Sequence, residues 1–168
     1  MLGILFLSTA QAQTDKTKTK DKMQDEKGAY TATYSSKFEI GNPALTQAIV
    51  NVWKDWDANT LDQSATIFAD TLTMYFPDGT MLKGKDQNLA EAKKYRAQFK
   101  AVKSMIHAMV SLKSLDQNEN WVAIWGTEED TGQDGKVTQV ALHEIWRFNK
   151  DGKVDIMRQY QSKIPVGQ

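Results

Sequence analysis

Cysteine is absent from this 168-residue chain. Its absence excludes disulfides, thiolate nucleophiles, cysteine-based zinc sites and lipid attachment through an N-terminal cysteine. Histidine is almost missing: His107 and His143 are the only imidazoles. A metal site would therefore rest mainly on carboxylates, and neither a metal nor another cofactor is expected. Charge of one sign is lacking too, with 21 basic against 21 acidic residues. A neutral chain has no general pull toward nucleic acid or an anionic membrane, so neither is expected as a partner. The one strongly apolar stretch, at the N-terminus, falls short of the roughly 20 residues a membrane-spanning helix needs, so no stable anchor is expected.

What is present divides along the chain. MLGILFLSTAQA is apolar and ends in small residues, and Ala10-Gln11-Ala12 fits an A-x-A cleavage site, although no basic segment precedes the apolar run. The expectation is a signal peptide over 1–12, a mature start at Gln13, and a secreted or periplasmic protein. TDKTKTKDKMQDEKG follows, with Met23 its only large apolar residue. Such a segment cannot bury enough surface to offset chain entropy, so 13–29 is expected to be a disordered polar leader. The folded domain is expected over 30–168. Hydrophobic content of 40% and five Trp, five Tyr and six Phe are ample for one core and a pocket wall.

Asn42-Pro43 marks a helix start, with Asn42 as N-cap and Pro43 at the first helical position. Ile49, Val52, Trp53 and Trp56 follow at helical spacing. Leu61–Ala69 reads as a second, shorter helix, with Thr60 and Gln63 resembling a capping box and Asp70 closing the turn into the next strand. Leu72–Phe76 reads as a strand before the Pro77-Asp78-Gly79 turn, and Asp86–Lys100 as a third helix with Leu89, Ala92, Tyr95 (or Arg96) and Phe99 on one side. The period then changes to two, predicting strands over Val102–Leu115, Trp121–Glu129, Lys136–Asn149 and Lys153–Ser162, joined by hairpin turns. Helices followed by an antiparallel meander give an α+β domain.

This α-α-β-α-β-β-β-β order resembles the nuclear-transport-factor-2-like (NTF2-like) superfamily, and within it the SnoaL-like domains. NTLDQSATIFADTLTMYFPDG looks like that group's segment of small helix, aspartate, strand and PDG turn, and WRFNKDGKV looks like its final hairpin. The resemblance covers roughly Asn42 to Ile164. It implies a cone-shaped fold in which three N-terminal helices pack in a strongly curved, mostly antiparallel sheet around one cavity. It also places the catalytic tyrosine of the bacterial ketosteroid isomerases on Val52 and their general-base aspartate on Phe76. Their protonated oxyanion-hole aspartate falls on Glu144. Valine donates no hydrogen bond and phenylalanine takes no proton, so ketosteroid isomerisation by that route is not expected.

ALHEIWRF, residues 141–148, alternates as a strand does, with Leu142, Glu144, Trp146 and Phe148 on the greasier face. A carboxyl among aromatic rings pays desolvation when charged, so Glu144 is the candidate general acid/base. Its alternatives are a structural partner such as Gln159 or Arg158, or water at the cavity mouth. His107 is a candidate helper if Met105, His107 and Met109 face inward. The cleaner apolar stripe of Ile106, Ala108, Val110 and Leu112 would instead leave it outside. Trp56, Met74, Phe76, Trp146, Phe148, Met157 and Gln159 are the expected cavity lining, and Trp121 and Trp125 share a face of their strand, as core or as wall. Glu128, Glu129, Asp130 and Asp134 read as a solvated acidic loop. His143, Ile145, Arg147, Ile156, Arg158 and Tyr160 mix apolar and cationic groups on the outer sheet face, which suits a homodimer.

Three functions fit these residues. One is binding of a small, largely apolar molecule in the cone cavity. The second is a cofactor-independent isomerase, dehydratase or cyclase using Glu144. The third is a protein-association module acting through the outer sheet face.

Overall fold

The computed structural model describes residues 30–164, and the compact unit begins at Ala32. The signal-peptide and leader expectations fall outside the described residues.

β1 (Phe38–Ile40) precedes α1 (Pro43–Asp57). Asn42 caps α1 as its sequence predicts: its Oδ1 accepts from the Ala44 N–H at 2.9 Å, and Pro43 opens the first turn. Thr46, Ile49, Val52 and Trp53 form the buried face. The next segment is a 3₁₀ helix, Leu61–Ile67, and not a helix to Ala69. Thr60 makes no capping bond. Its hydroxyl and that of Ser64 donate instead to Asp55 on α1, which ties the tighter turn back to the preceding helix.

β2 (Phe68–Tyr75) starts four residues earlier than the sequence suggests, because Phe68 and Ala69 are drawn into the core. Asp70 thus lies within a strand, exposed, and pairs with Lys85 at 2.7 Å; it does not close a helix turn. β3 (Met81–Lys83) returns after the PDG turn, where Gly79 takes φ 86°, a conformation that excludes most side chains. α2 (Lys85–Arg96) ends before Lys100 because the chain is already extended at Phe99. Its buried residues are Asn88, Leu89 and Arg96. Arg96 is satisfied by main-chain carbonyls: Nε donates to Trp56 O at 2.8 Å, Nη2 to Asp57 O at 2.9 Å and Nη1 to Phe99 O at 3.1 Å. Two of these are carbonyls of the last turn of α1, Trp56 O accepting from Asn59 N as well, so the guanidinium pins the C-terminal ends of the two helices together.

Four long strands follow: β4 (Phe99–Ser114), β5 (Glu119–Gly132), β6 (Val137–Phe148) and β7 (Val154–Lys163). The sheet order is β1-β4-β5-β6-β7-β2-β3, antiparallel except where β7 meets β2. The curved, unclosed sheet wraps the helices into the α+β cone. Ile49, Phe68, Leu72, Val122, Ile124 and Val154 fill its centre.

Along β4 the two rival stripes prove to be one strand with a fault in it. Ile106 pairs with Gly126 and Ala108 with Trp125, leaving His107 as the extra residue of a β-bulge. Because paired residues share a face, the bulge carries Ile106 inward but Ala108, Val110 and Leu112 outward.

Candidate functional site

The cone leaves a cavity of about 730 Å³ between its helices and the concave face of the sheet. β6 supplies Leu142, Glu144 and Trp146, and the alternation read from the sequence holds: these residues are buried, while Ala141, His143, Ile145 and Arg147 lie half-buried on the convex face. Trp56, Met74, Phe76, Trp146, Met157 and Gln159 line the cavity. Phe148 does not. It is 2% exposed in the core and pairs with Val154 beyond a register break after Arg147. A more open, polar groove between α1 and the 3₁₀ helix, lined by Asn51, Lys54 and Gln63, lies apart.

Glu144 is 5% exposed and makes three hydrogen bonds. Its Oε2 accepts from Trp53 Nε1 at 2.7 Å and from Trp146 Nε1 at 3.1 Å, and its Oε1 accepts from Gln159 Nε2 at 2.8 Å. Gln159 reaches it because the two residues are direct cross-strand partners. A carboxylate offers about four acceptor positions, so one remains, on Oε1. Burial raises the Glu144 pKa, and the three donors only partly offset that. The remaining Oε1 position is where a proton, or a donor on a bound molecule, can sit.

Trp53 arrives at Glu144 because Gly126 lets it. A Cβ at Gly126 would stand 2.8 Å from Trp53 Cζ3 and would run into the main-chain oxygen of Met105. The indole therefore packs against bare backbone where a side chain would push it aside.

His107 is exposed and lines no part of the cavity; the bulge that makes it the extra residue also turns it away from Glu144. The acid–base couple of His107 with Glu144 is thus not formed. Two other acids share the cavity with Glu144. Glu128 and Asp130 belong to β5, not to a solvated loop, and both line the cavity. Glu128 Oε2 accepts from Trp56 Nε1 at 2.7 Å, and its pKa is pushed up to about 7, first by burial and then by the charge of Asp130. Asp130 is 6% exposed, its Oδ1 has no hydrogen-bond partner, and burial raises its pKa as well. The signal for both was in the sequence: Val122, Ile124, Gly126, Glu128 and Asp130 share one face of β5, and that face starts apolar. Glu129 points the other way and accepts from Gln139, while Asp134 accepts from Lys136 N within the hairpin loop.

Trp121 and Trp125 lie on the convex face, not in the wall. Trp125 stacks on His143 at 4.7 Å, and His143 meets Tyr160 at 5.9 Å, an aromatic row across three strands. Arg147 on the same face is bound to Asp155 and Glu119, and Arg158 lies over the Tyr75 ring at 4.0 Å.

Residues 47–156 match the family model of the SnoaL-like domain. No curated protein sequence matches the chain. Among solved structures, a SnoaL-like protein of unknown function from Burkholderia thailandensis is similar at 21% identity and TM-score 0.55, over 74% of this chain and 99% of that one. An NTF2-like protein of unknown function from Cytophaga hutchinsonii follows at 18% identity and TM-score 0.54, over 70% and 99%. An M. tuberculosis LEH-like epoxide hydrolase is similar at 12% identity and TM-score 0.59, over 70% and 82%. At such identities the likeness is one of fold.

Proposed function

The chain belongs to the SnoaL-like domain family of the NTF2-like superfamily, and from that premise we propose that it binds a small, largely apolar molecule in its cone cavity. The observation that carries this reading is a space of about 730 Å³ in which largely apolar and aromatic walls surround the buried Glu144 carboxyl. Sites for small molecules typically measure roughly 300–1,000 Å³ and combine such walls with a few convergent polar groups. Burial of the ligand's apolar surface supplies the affinity, and the free position on Glu144 Oε1 orients it. Titration with 1-naphthalenemethanol, read by tryptophan fluorescence, tests this. Saturable binding that Ala92→Trp abolishes supports the reading, since Ala92 lines the cavity. Binding unaffected by Ala92→Trp, or none at all, sinks it.

A second reading adds chemistry, favoured by the raised pKa of Glu144 and its single free acceptor position. In an isomerase, dehydratase or cyclase, Glu144 Oε1 takes a proton from the carbon beside a carbonyl, leaving an enolate, and returns it to another atom. Exchange of the α-protons of 2-tetralone in D₂O, lost in Glu144→Gln, is the expected result. Exchange at the uncatalysed rate leaves binding alone.

The convex face supports self-association of two copies across Trp125, His143, Ile145, Ile156 and Tyr160. Export with cleavage after Ala12 belongs to the same proposal, and N-terminal sequencing of the secreted protein would begin at Gln13.

A further inference from the structure

We infer that the cavity is selective for a cationic ligand, a protonated amine on an apolar body, with Asp130 and Glu128 as its ammonium subsite; this rests on the small-molecule reading above and narrows it. Among the described residues, the charged ones that line the cavity are Asp78, Glu91, Glu128, Asp130 and Glu144 against Lys163. Asp130 is the informative one. It is more than nine-tenths buried, it lines the cavity, and its Oδ1 has no partner among the described residues. A buried carboxylate oxygen left unpaired is costly, and an N–H donor entering the cavity is what would satisfy it.

The nearest cation does not fill that role. Arg96 attracts Asp130 through space, but its Nε, Nη1 and Nη2 all donate to main-chain carbonyls. Around the pair, α1 contributes Asp57, whose carboxylate is held by Ser104 N and Oγ, and α2 contributes Glu91, Tyr95 and Arg96. β6 contributes Glu144 and β7 contributes Lys163. Acids predominate, and they repel one another: Asp130, Glu144 and Asp57 each push Glu128 upward. An ammonium group beside Glu128 and Asp130 relieves both that repulsion and the unpaired oxygen.

The same wall is aromatic. Trp56 and Tyr95 line the cavity with nearly parallel rings, 6.3 Å between centroids, and Trp56 is the ring whose N–H holds Glu128. Carboxylates next to electron-rich ring faces bind ammonium better than either group alone. The apolar end of the ligand then lies toward Met74, Phe76 and Met157.

Three probes of one shape separate this inference from the reading beneath it: 1-naphthylmethylamine, neutral 1-naphthalenemethanol and anionic 1-naphthoate. Calorimetric titration at pH 8 is expected to give the amine about a tenfold or greater advantage over the alcohol, with 1-naphthoate weakest. The amine-to-alcohol affinity ratio shrinks toward unity in Asp130→Asn and in Glu128→Gln. In the unaltered protein the amine also weakens from pH 8 to pH 6, as Glu128 takes up its proton, and the alcohol does not. Equal affinity for amine and alcohol at both pH values overturns the cationic selectivity and leaves the small-molecule reading standing. Failure of all three probes to bind overturns both.

Discussion

The indole Nε1 of Trp53 on α1 donates to Oε2 of Glu144 on β6 at 2.7 Å, joining residues 91 positions apart. Trp146 reaches the same oxygen from two residues along β6, and Gln159 takes the other oxygen from β7. One carboxyl therefore collects donors from a helix and two strands, with no cation among them. The donors favour the ionised form and burial opposes it; burial prevails, so the group is raised. Glu144 is both a link between helix and sheet and a buried polar group of the cavity wall.

Replacing Glu144 with leucine strands three N–H donors in the core, two of them indoles. Glu144→Leu is expected to lose about 3 kcal/mol of stability by urea denaturation, while Glu144→Gln, which keeps an acceptor for the indoles, loses about 1 kcal/mol or less. Equal stability of Glu144→Leu and the unaltered protein would show that these bonds contribute nothing to folding.

Glu128 makes stability depend on pH in the direction opposite to a salt-bridged acid. Its folded pKa of about 7 exceeds the ordinary 4.5, so between those values the folded state holds more protons than the unfolded one. This contribution to stability falls as pH rises through that window, by on the order of 3 kcal/mol in total. Glu128→Gln is expected to match the unaltered protein near pH 4.5 and to exceed it by about that amount at pH 8, because the glutamine still accepts from Trp56. Denaturation curves of the two proteins at pH 4.5, 6 and 8 check the sign, and parallel pH profiles would contradict it.

Gly126→Ala tests the seat of Trp53. The added methyl meets the Trp53 ring and a main-chain oxygen that cannot rotate away, so a loss of about 1–3 kcal/mol is expected. Tryptophan emission should also change as the ring leaves Glu144. An alanine variant with unchanged stability and emission would mean that the ring needs no such room.

Self-association through the convex face predicts that Ile145→Glu dissociates the pair, since charge on that face repels its copy. Sedimentation velocity should show a dimer becoming a monomer. Affinity for 1-naphthalenemethanol should be unchanged, because Ile145 lies on the face opposite the cavity. A protein that is monomeric before mutation removes the proposal.

Much of this molecule is legible in its sequence. The N-cap at Asn42, the PDG turn, the meander and the α+β class follow from capping chemistry, glycine's tolerance of positive φ and the change of period from helix to strand. So does the inward Glu144, since alternation in an ordinary strand leaves one choice once the apolar face is known. The errors also have causes. Leu61–Ala69 has a helical composition, yet hydroxyl bonds to Asp55 tighten its start and the core pulls Phe68 into a strand. His107 could not be placed because a bulge is one extra residue with no sequence mark, and it exchanges the faces of everything beyond it.

The sequence by itself determined most of the local elements and, along strands without a bulge, the face on which each side chain stands, because both depend on neighbours a few residues away. Tertiary structure alone decided which faces meet. The curvature of the sheet turned Glu128 and Asp130, read as a solvated cluster, into acids of the cavity that also holds Glu144, and put Trp53 against Glu144 across the bare backbone of Gly126. It also took Trp121 and Trp125 to the convex side and left Phe148 in the core, outside the cavity lining. A group's pKa and partners depend on what lies within a few ångströms in space, and for these residues the neighbours come from strands and helices remote in the chain.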